Sequence, residues 1–256
     1  MTDDQPDRDA VGADGVTEVR DITLGSAKPA DYSAADITPI EDLSQSELLD
    51  LLQADEPPTR RRAILALAQQ DGDPSVTEKI AEGALTDPDS QVRQFGVEAL
   101  GKLDGNPAVA EEILATDTDP WVRAEAAVTL DRLAREDYEA TFEELLDDEA
   151  MGVRRNALIS LTRIREDSAR GILLEALDDP SGRVREWAVK LLGQFEDKEV
   201  ESRLTEILED DSEVEIVRET AARSLGARGT DVAELLEGET GTASADEHML
   251  NQVPDK

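Results

Sequence analysis

Residues 178–195, DDPSGRVREWAVKLLGQF, contain a phrase that recurs along the chain. The phrase is an acidic residue, often followed by Pro, then Val-Arg, a small residue and a Leu. Consecutive copies are 33, 30, 31, 31 and 33 residues apart, measured between their arginines Arg60, Arg93, Arg123, Arg154, Arg185 and Arg218. A repeat of this length is typical of a solenoid, in which each repeat is one supersecondary unit packed on its neighbours.

The spacing of residues inside the phrase predicts an amphipathic helix. We number the phrase from its Val, which is position 0. Position 4 is always small, at Ala63, Gly96, Ala126, Ala157, Ala188 and Ala221. Position 8 is always Leu, at Leu67, Leu100, Leu130, Leu161, Leu192 and Leu225. At about 100° per residue these positions share one stripe, and a small residue at position 4 lets a neighbouring helix approach closely.

A second amphipathic stretch lies between the phrases, as in SVTEKIAEGAL at 75–85. Start signals precede several of these stretches. Asp73-Pro74 and Asn106-Pro107 each place a capping side chain before a Pro at the first helical position. Each repeat is therefore predicted to be a helix A, a short acidic turn and a helix B that carries the Val-Arg phrase.

The fold class predicted from this pattern is all-α: an α-solenoid of about six helix pairs with a C-terminal capping helix over 230–237. Residues 44–238 are predicted to form the solenoid, and Ser44 with Glu47 predicts a capping box at its first helix. Residues 1–43 are predicted to be an acidic, mostly disordered N-terminal segment, and 239–256 a disordered acidic tail.

Composition excludes several classes of site. The chain has no Cys, so disulfides, thiolate metal sites and Cys nucleophiles are absent. Its one His, His248, lies in the tail, which excludes His-based triads and repeated His-Glu metal sites. No apolar run approaches membrane-spanning length, and the start MTDDQPDRDA lacks the pattern of a secretory signal. We therefore expect a cytoplasmic protein with no cofactor, no metal and no membrane partner.

The net charge is −35, with 61 acidic and 26 basic residues. Excess carboxylate with little Lys resembles the surfaces of proteins from halophilic cells, where salt screens the self-repulsion. The alternative is an acidic protein of an ordinary cytosol. In both cases general affinity for nucleic acid or anionic lipid is disfavoured.

The phrase of turn Asp, Val-Arg, Ala and Leu resembles HEAT repeats, and more narrowly the short HEAT-like repeats of the phycobilin lyase type. The resemblance covers roughly 46–238, and the first copy departs from it with Thr59 in place of Val. The resemblance implies that each recurrent Arg hydrogen-bonds to a turn Asp of an adjacent repeat, forming a ladder with Asp87, Asp117, Asp148 and Asp179. It also implies that the B helices line the concave side.

Basic residues concentrate in the B helices. Positions 0 to 11 of the six phrases hold 15 basic and 5 acidic residues, although the chain as a whole is strongly acidic. Most basic residues outside the ladder fall at positions 2, 3, 6 and 10, opposite the buried stripe, together with several apolar residues. We call these four positions the B-helix face.

We predict that the B-helix face binds another protein whose surface is acidic or mixed acidic and apolar, because Arg and Trp are frequent hot-spot residues. The alternative is that long Arg stems only cover the helices and pair with nearby carboxylates. The predicted contact residues are Arg62, Phe95, Lys102, Val128, Arg132, Arg155, Ile159, Arg163, Trp187, Lys190 and Arg223.

The predicted function is a non-catalytic, protein-binding scaffold or adaptor. One alternative is an auxiliary subunit of a lyase-type enzyme; another is a HEAT-like protein that binds nucleic acid. The stretch GVEALGKL at 96–103 departs from a phosphate loop at Leu103, where Ser or Thr is required, and lies inside a predicted helix. The acidic end segments raise a further hypothesis, that one of them occupies the basic face and competes with the partner; otherwise they only keep the protein soluble.

Overall fold

The computed structural model describes residues 40, 43–70, 73–230 and 232. The chain divides into two compact units, unit 1 up to Ser160 and unit 2 from Leu161. Unit 1 contains α1 (Gln45–Leu51), α2 (Pro57–Leu67), α3 (Pro74–Thr86), α4 (Ser90–Lys102), α5 (Pro107–Thr116), α6 (Pro120–Ala134) and α7 (Glu139–Glu144). The division falls within α8 (Met151–Arg165), and unit 2 continues with α9 (Arg170–Glu175), α10 (Gly182–Leu192), α11 (Lys198–Glu209) and α12 (Glu215–Ala227).

The described residues confirm the all-α solenoid of HEAT-like repeats. Odd-numbered helices are the A helices, and even-numbered helices are the B helices that carry the Val-Arg phrase. The short helices α7 and α9 are extended at both ends by 3₁₀ turns, at Arg135–Tyr138, Leu145–Asp147, Glu166–Ala169 and Ala176–Asp178. Over the described part of the chain this gives six helix pairs, the number predicted from the phrase.

The predicted start signals cap the helices as expected. Ser44 and Glu47 form a reciprocal capping box at α1. The side chain of Asp73 accepts the N–H of Ser75 at 2.8 Å, and that of Asn106 caps α5 in the same way. These bonds satisfy backbone donors that have no partner inside the helix, and so fix where each helix begins.

The predicted stripe is the core of every repeat. All six residues at position 4 and all six leucines at position 8 are buried. The small side chain at position 4 sets a close helix contact: a Cβ added at Gly96 would lie 2.9 Å from the Cβ of Ala84, on the A helix of the same repeat. A larger residue there would push α3 and α4 apart.

The predictions for the two ends fall almost wholly outside the described residues. These are the disordered segments 1–43 and 239–256 and the capping helix over 230–237. They stay predictions.

Candidate protein-binding faces

Three recurrent arginines of unit 1 bond to carboxylates of the next repeat, as the HEAT resemblance implied. The guanidinium of Arg60 donates to both carboxylate oxygens of Asp87, each at 2.7 Å. Arg93 holds Asp117 in the same two-pronged way, at 2.6 and 2.9 Å. Both pairs are mostly shielded from solvent. Charge-assisted hydrogen bonds are stronger in such shielded surroundings than in water. The structural interpretation is therefore confirmed for Arg60 and Arg93.

Each ladder aspartate of unit 1 also closes its own turn. Its Oδ1 accepts the backbone N–H two residues further on, at 2.9 Å for Asp87, 2.8 Å for Asp117 and 2.7 Å for Asp148. Arg123 reaches Asp148 at 3.2 Å to form the third contact of the series. Burial of Asp117 raises its pKa, but the hydrogen bonds from its arginine and from the backbone N–H outweigh that effect, so its pKa lies below the ordinary value.

In unit 2, one residue binds the ladder arginine and a different residue closes the turn. Arg185 donates to both carboxylate oxygens of Glu213, at 2.7 and 2.6 Å, and this lowers the pKa of Glu213. The turn is closed by Asp210, which accepts the N–H of Ser212 at 2.9 Å. Ser212 stands where the second to fifth repeats carry the ladder Asp, and for that reason the sequence pattern did not identify Glu213.

Arg154 and Asp179 have the local bonding of ladder residues. Arg154 donates to the backbone carbonyl of Asp148 at 2.8 Å, and Asp179 accepts the N–H of Ser181 at 2.7 Å. A bond between Arg154 and Asp179 themselves stays a prediction.

The B-helix face of unit 1 is largely buried, contrary to the expectation of an open groove. Four predicted contact residues have little exposed area: Phe95 (8%), Val128 (5%), Arg155 (2%) and Ile159 (2%). The prediction that these four side chains lie on an open surface is wrong.

Position 3 of α4 and α8 is buried because it points toward the preceding B helix. This direction is seen at Asn156, which occupies position 3 of α8 and donates to the backbone carbonyl of Ala124 in α6 at 2.8 Å. Phe95 occupies position 3 of α4, which packs against α2. Its ring is therefore part of the contact between repeats.

Positions 2 and 6 of α6 and α8 are buried, and α6 packs closely on the B helices to either side. Thr129 of α6 donates to the carbonyl of Val97 in α4 at 3.1 Å. On the other side, a Cβ added at Gly152 of α8 would lie 3.4 Å from the Cβ of Ala124. Every residue of α6 from Val122 to Asp131 is buried. Val128 and, on α8, Arg155 and Ile159 lie within this closed region.

Three predicted contact residues of unit 1 remain accessible to solvent. Lys102 and Arg132, both at position 10, are exposed, and Arg62 is partly exposed. Lys102 pairs with Glu98 one turn earlier at 2.8 Å. Partner binding by these three residues stays a prediction.

The B-helix face of unit 2 is more open. Lys190 and Arg223 are exposed, and Trp187 and Arg163 are partly exposed. The Nζ of Lys190 lies 4.3 Å from the centroid of the Trp187 ring, a cation–π contact that presents a charge and an aromatic ring together. Arg223 lies on α12, which packs against α10. Trp187, Lys190 and Arg223 therefore lie on neighbouring helices at accessible positions.

One exposed apolar residue of unit 2 was missed by the sequence reasoning. Val214, just before α12, is 50% exposed and is the large hydrophobic residue that stands out among the described residues. It lies close to Gly182 at the start of α10. The available signal was an apolar residue in a turn that is otherwise acidic, DDSEVE at 210–215.

Three further observations concern other kinds of site considered from the sequence. Residues 96–102 of the stretch GVEALGKL, which resembles a phosphate loop, lie in α4, so their backbone amides form helical hydrogen bonds. No group of three or more His, Asp or Glu side chains in the described ranges is arranged to hold a metal ion. No described helix is long and apolar enough to cross a membrane.

Several solved structures are similar to this chain. The chain is similar in structure to the YibA protein of Escherichia coli, with a TM-score of 0.58 and 21% identity over 76% of this chain and 74% of that chain. Weaker structural matches are the complex of CpcE and CpcF of phycocyanin lyase from Nostoc (TM-score 0.39, 14% identity, 81% of this chain and 98% of that chain) and human deoxyhypusine hydroxylase (0.34, 20%, 78% and 79%). No curated protein matches the sequence.

The HEAT-repeat family matches three overlapping stretches, 46–112, 107–182 and 170–247. Together they cover more than half of the chain, and they contain the ladder and the paired helices described above. The chain belongs to the HEAT-repeat family.

Proposed function

We propose that this protein is a non-catalytic scaffold that binds another protein through the B-helix face of unit 2. The observation that carries the proposal is the accessible pair of Trp187 and Lys190, with its cation–π contact, beside Arg223 on the neighbouring helix. Aromatic and Arg side chains dominate the energetics of protein interfaces because they bury a large area and form directional contacts.

The chemistry of this face defines the partner. Two exposed cations and a large ring suit a segment that carries carboxylates next to apolar side chains. The −35 charge of the whole chain repels polyanions at long range, so a nucleic acid would have to overcome that field. The lyase-subunit alternative requires a pocket for a tetrapyrrole and stays a hypothesis.

The test is affinity capture in high salt with the full chain as bait, followed by mass spectrometry. A Trp187→Ala/Arg223→Glu variant is expected to lose at least one partner that the wild type captures. Lys198→Glu is the matched control, because Lys198 is exposed on α11, an A helix of the same unit. Loss in the first variant and retention in the control support the proposal; equal capture by all three proteins contradicts it.

A second measurement separates protein from nucleic acid as the ligand. Fluorescence anisotropy of labelled duplex DNA with the wild-type chain is expected to show no binding in high salt. Saturable binding that Arg223→Glu removes would overturn the assignment of a protein partner.

A further inference from the structure

Lys190 and Arg223, on the B-helix face of unit 2, have no carboxylate partner among the described residues. At least twelve other Lys and Arg side chains in the described ranges form a salt bridge with Asp or Glu, in a chain with 61 acidic residues. Lys190 instead contacts the ring of Trp187, and Arg223 bonds to a hydroxyl and to a backbone carbonyl. These two charges are therefore available to an acidic ligand.

The two cations lie level with each other on packed helices. Both occupy position 6 of the phrase, on α10 and α12, which pack against each other. A Cβ added at Gly182, at the start of α10, would lie 3.2 Å from the side chain of Val214, just before α12. At the other end, a Cβ added at Gly193 would lie 3.3 Å from the hydroxyl oxygen of Ser224. The two helices therefore run side by side in register, with axes about 10 Å apart.

Arg223 is held in place by its own helix. Its Nη2 donates to Oγ1 of Thr220 at 2.9 Å, and its Nε donates to the backbone carbonyl of Glu219 at 3.3 Å. Thr220 is buried, and its hydroxyl donates in turn to the carbonyl of Ile216 at 2.8 Å. These bonds engage one edge of the guanidinium and leave its Nη1 amino group without a hydrogen bond among the described residues. A cation that is positioned in advance loses less conformational entropy on binding.

The carboxylates of this face lie one turn earlier than its cations. Glu186 and Glu219 both occupy position 2, and Glu186 pairs with Arg183 at 2.8 Å. Trp187 follows at position 3 and is partly exposed. A ligand that crosses both helices at the level of position 6 therefore meets two cations along its axis, and the aromatic ring lies along its edge nearer the helix N-termini.

Building on the proposed function, on which this inference rests, we propose that the partner segment is an amphipathic α-helix that lies across α10 and α12. It carries two carboxylates on one face, close to two turns apart, which bind Lys190 and Arg223. Seven residues of helix advance about 10.5 Å, which matches the spacing of the two B helices. In an extended segment, side chains on one face are about 7 or 14 Å apart, and neither spacing matches as well. Apolar side chains on the adjacent edge of the partner helix cover the ring of Trp187.

The test uses two fluorescently labelled, Ala-rich peptides of about 20 residues, long enough to form a helix. The first peptide has two Glu on one face, close to two turns apart, and Leu along the adjacent edge. The permuted peptide has the same composition, with the second Glu moved to the opposite face. Anisotropy is measured with the full chain at about 1 M salt, where the Debye length of about 3 Å limits repulsion by the acidic chain. The first peptide is expected to bind about fivefold more tightly, because the permuted peptide forms only one of the two ion pairs.

Variants without the charge assign each cation to one carboxylate. Lys190→Gln and Arg223→Gln are each expected to weaken binding of the first peptide about fivefold. The Leu edge fixes the direction of the peptide, so replacing one of its Glu by Gln should cancel the effect of one variant and leave the effect of the other. Lys198→Gln is the matched control and is expected to bind as the wild type does, because Lys198 is exposed on α11, an A helix of the same unit.

Four results overturn the proposal. Three are equal affinity for the two peptides, no binding of either peptide, and losses that do not depend on which Glu is removed. The fourth is self-association of the chain in sedimentation that Arg223→Glu abolishes, which would make a second copy the occupant. The capture experiment asks only whether this face binds a protein, so it separates failure of the helical spacing from failure of the proposed function.

Discussion

The two units place the same repeat phrase in opposite surroundings. At position 6, Val128 of unit 1 is buried and Lys190 of unit 2 is exposed. At position 3, Phe95 of unit 1 is almost fully buried, whereas Trp187 of unit 2 keeps part of its surface accessible and carries a cation over its ring. A position in the repeat therefore does not by itself decide between a packing role and a recognition role; the residue at that position and its local packing decide.

Exchanging the side-chain types at position 6 is expected to give the largest difference in stability between the two units. Val128→Lys places an ammonium group in a closed region and is expected to lower the free energy of unfolding by about 4 kcal/mol. Lys190→Val changes an exposed residue and is expected to shift it by less than about 0.5 kcal/mol. Urea unfolding of both variants measures this, and equal losses would show that the two faces are equally buried.

Truncating the aromatic side chains at position 3 is expected to give the next largest difference in stability between the two units. Phe95→Ala is expected to cost about 3 kcal/mol because it leaves a cavity between repeats. Trp187→Ala is expected to cost about 1 kcal/mol while abolishing capture of the partner. A stability loss for Trp187→Ala as large as that for Phe95→Ala would assign the Trp to the core.

The ladder offers a smaller contrast between the units. Asp117→Ala removes both the bond to Arg93 and the bond that closes the turn, and is expected to cost about 3 kcal/mol. Glu213→Ala removes the bonds to Arg185 but leaves Asp210 to close its turn, so about 2 kcal/mol is expected. Thermal unfolding at matched salt ranks the two, and a larger loss for Glu213→Ala would contradict the division of tasks.

Acid should weaken both ladder contacts, and this effect is the smallest. Folding lowers the pKa of Asp117 and Glu213 below their ordinary values of 3.8 and 4.5. Their stabilising contribution is therefore complete above those values and is lost as the pH falls through the lower, folded-state pKa. The stability gap between wild type and Asp117→Asn is expected to be constant near neutral pH and to shrink below about pH 3.8. A gap independent of pH in that range would show that Asp117 is not held as a carboxylate by Arg93.

The sequence predicted the architecture because a solenoid is specified locally. Small residues at position 4, leucines at position 8 and the ladder aspartates each act within one repeat or between neighbours. The sequence did not predict that Phe95, Val128, Arg155 and Ile159 would be buried, because the helical period separates the core stripe from the opposite side but does not show how closely neighbouring B helices pack there. Glu213 escaped notice because its longer side chain reaches the arginine from a different position in the turn.

The rate at which a thiol is labelled tests the central contrast most directly. Since the chain has no Cys, Val128→Cys and Lys190→Cys can each be made in the full-length protein and treated with a maleimide under native conditions. A thiol at position 190 is expected to react as fast as one in the unfolded chain, and a thiol at position 128 at least tenfold more slowly, since reaction needs an accessible thiolate. Equal native rates at the two positions would show that unit 1 is as open as unit 2 and would contradict the account.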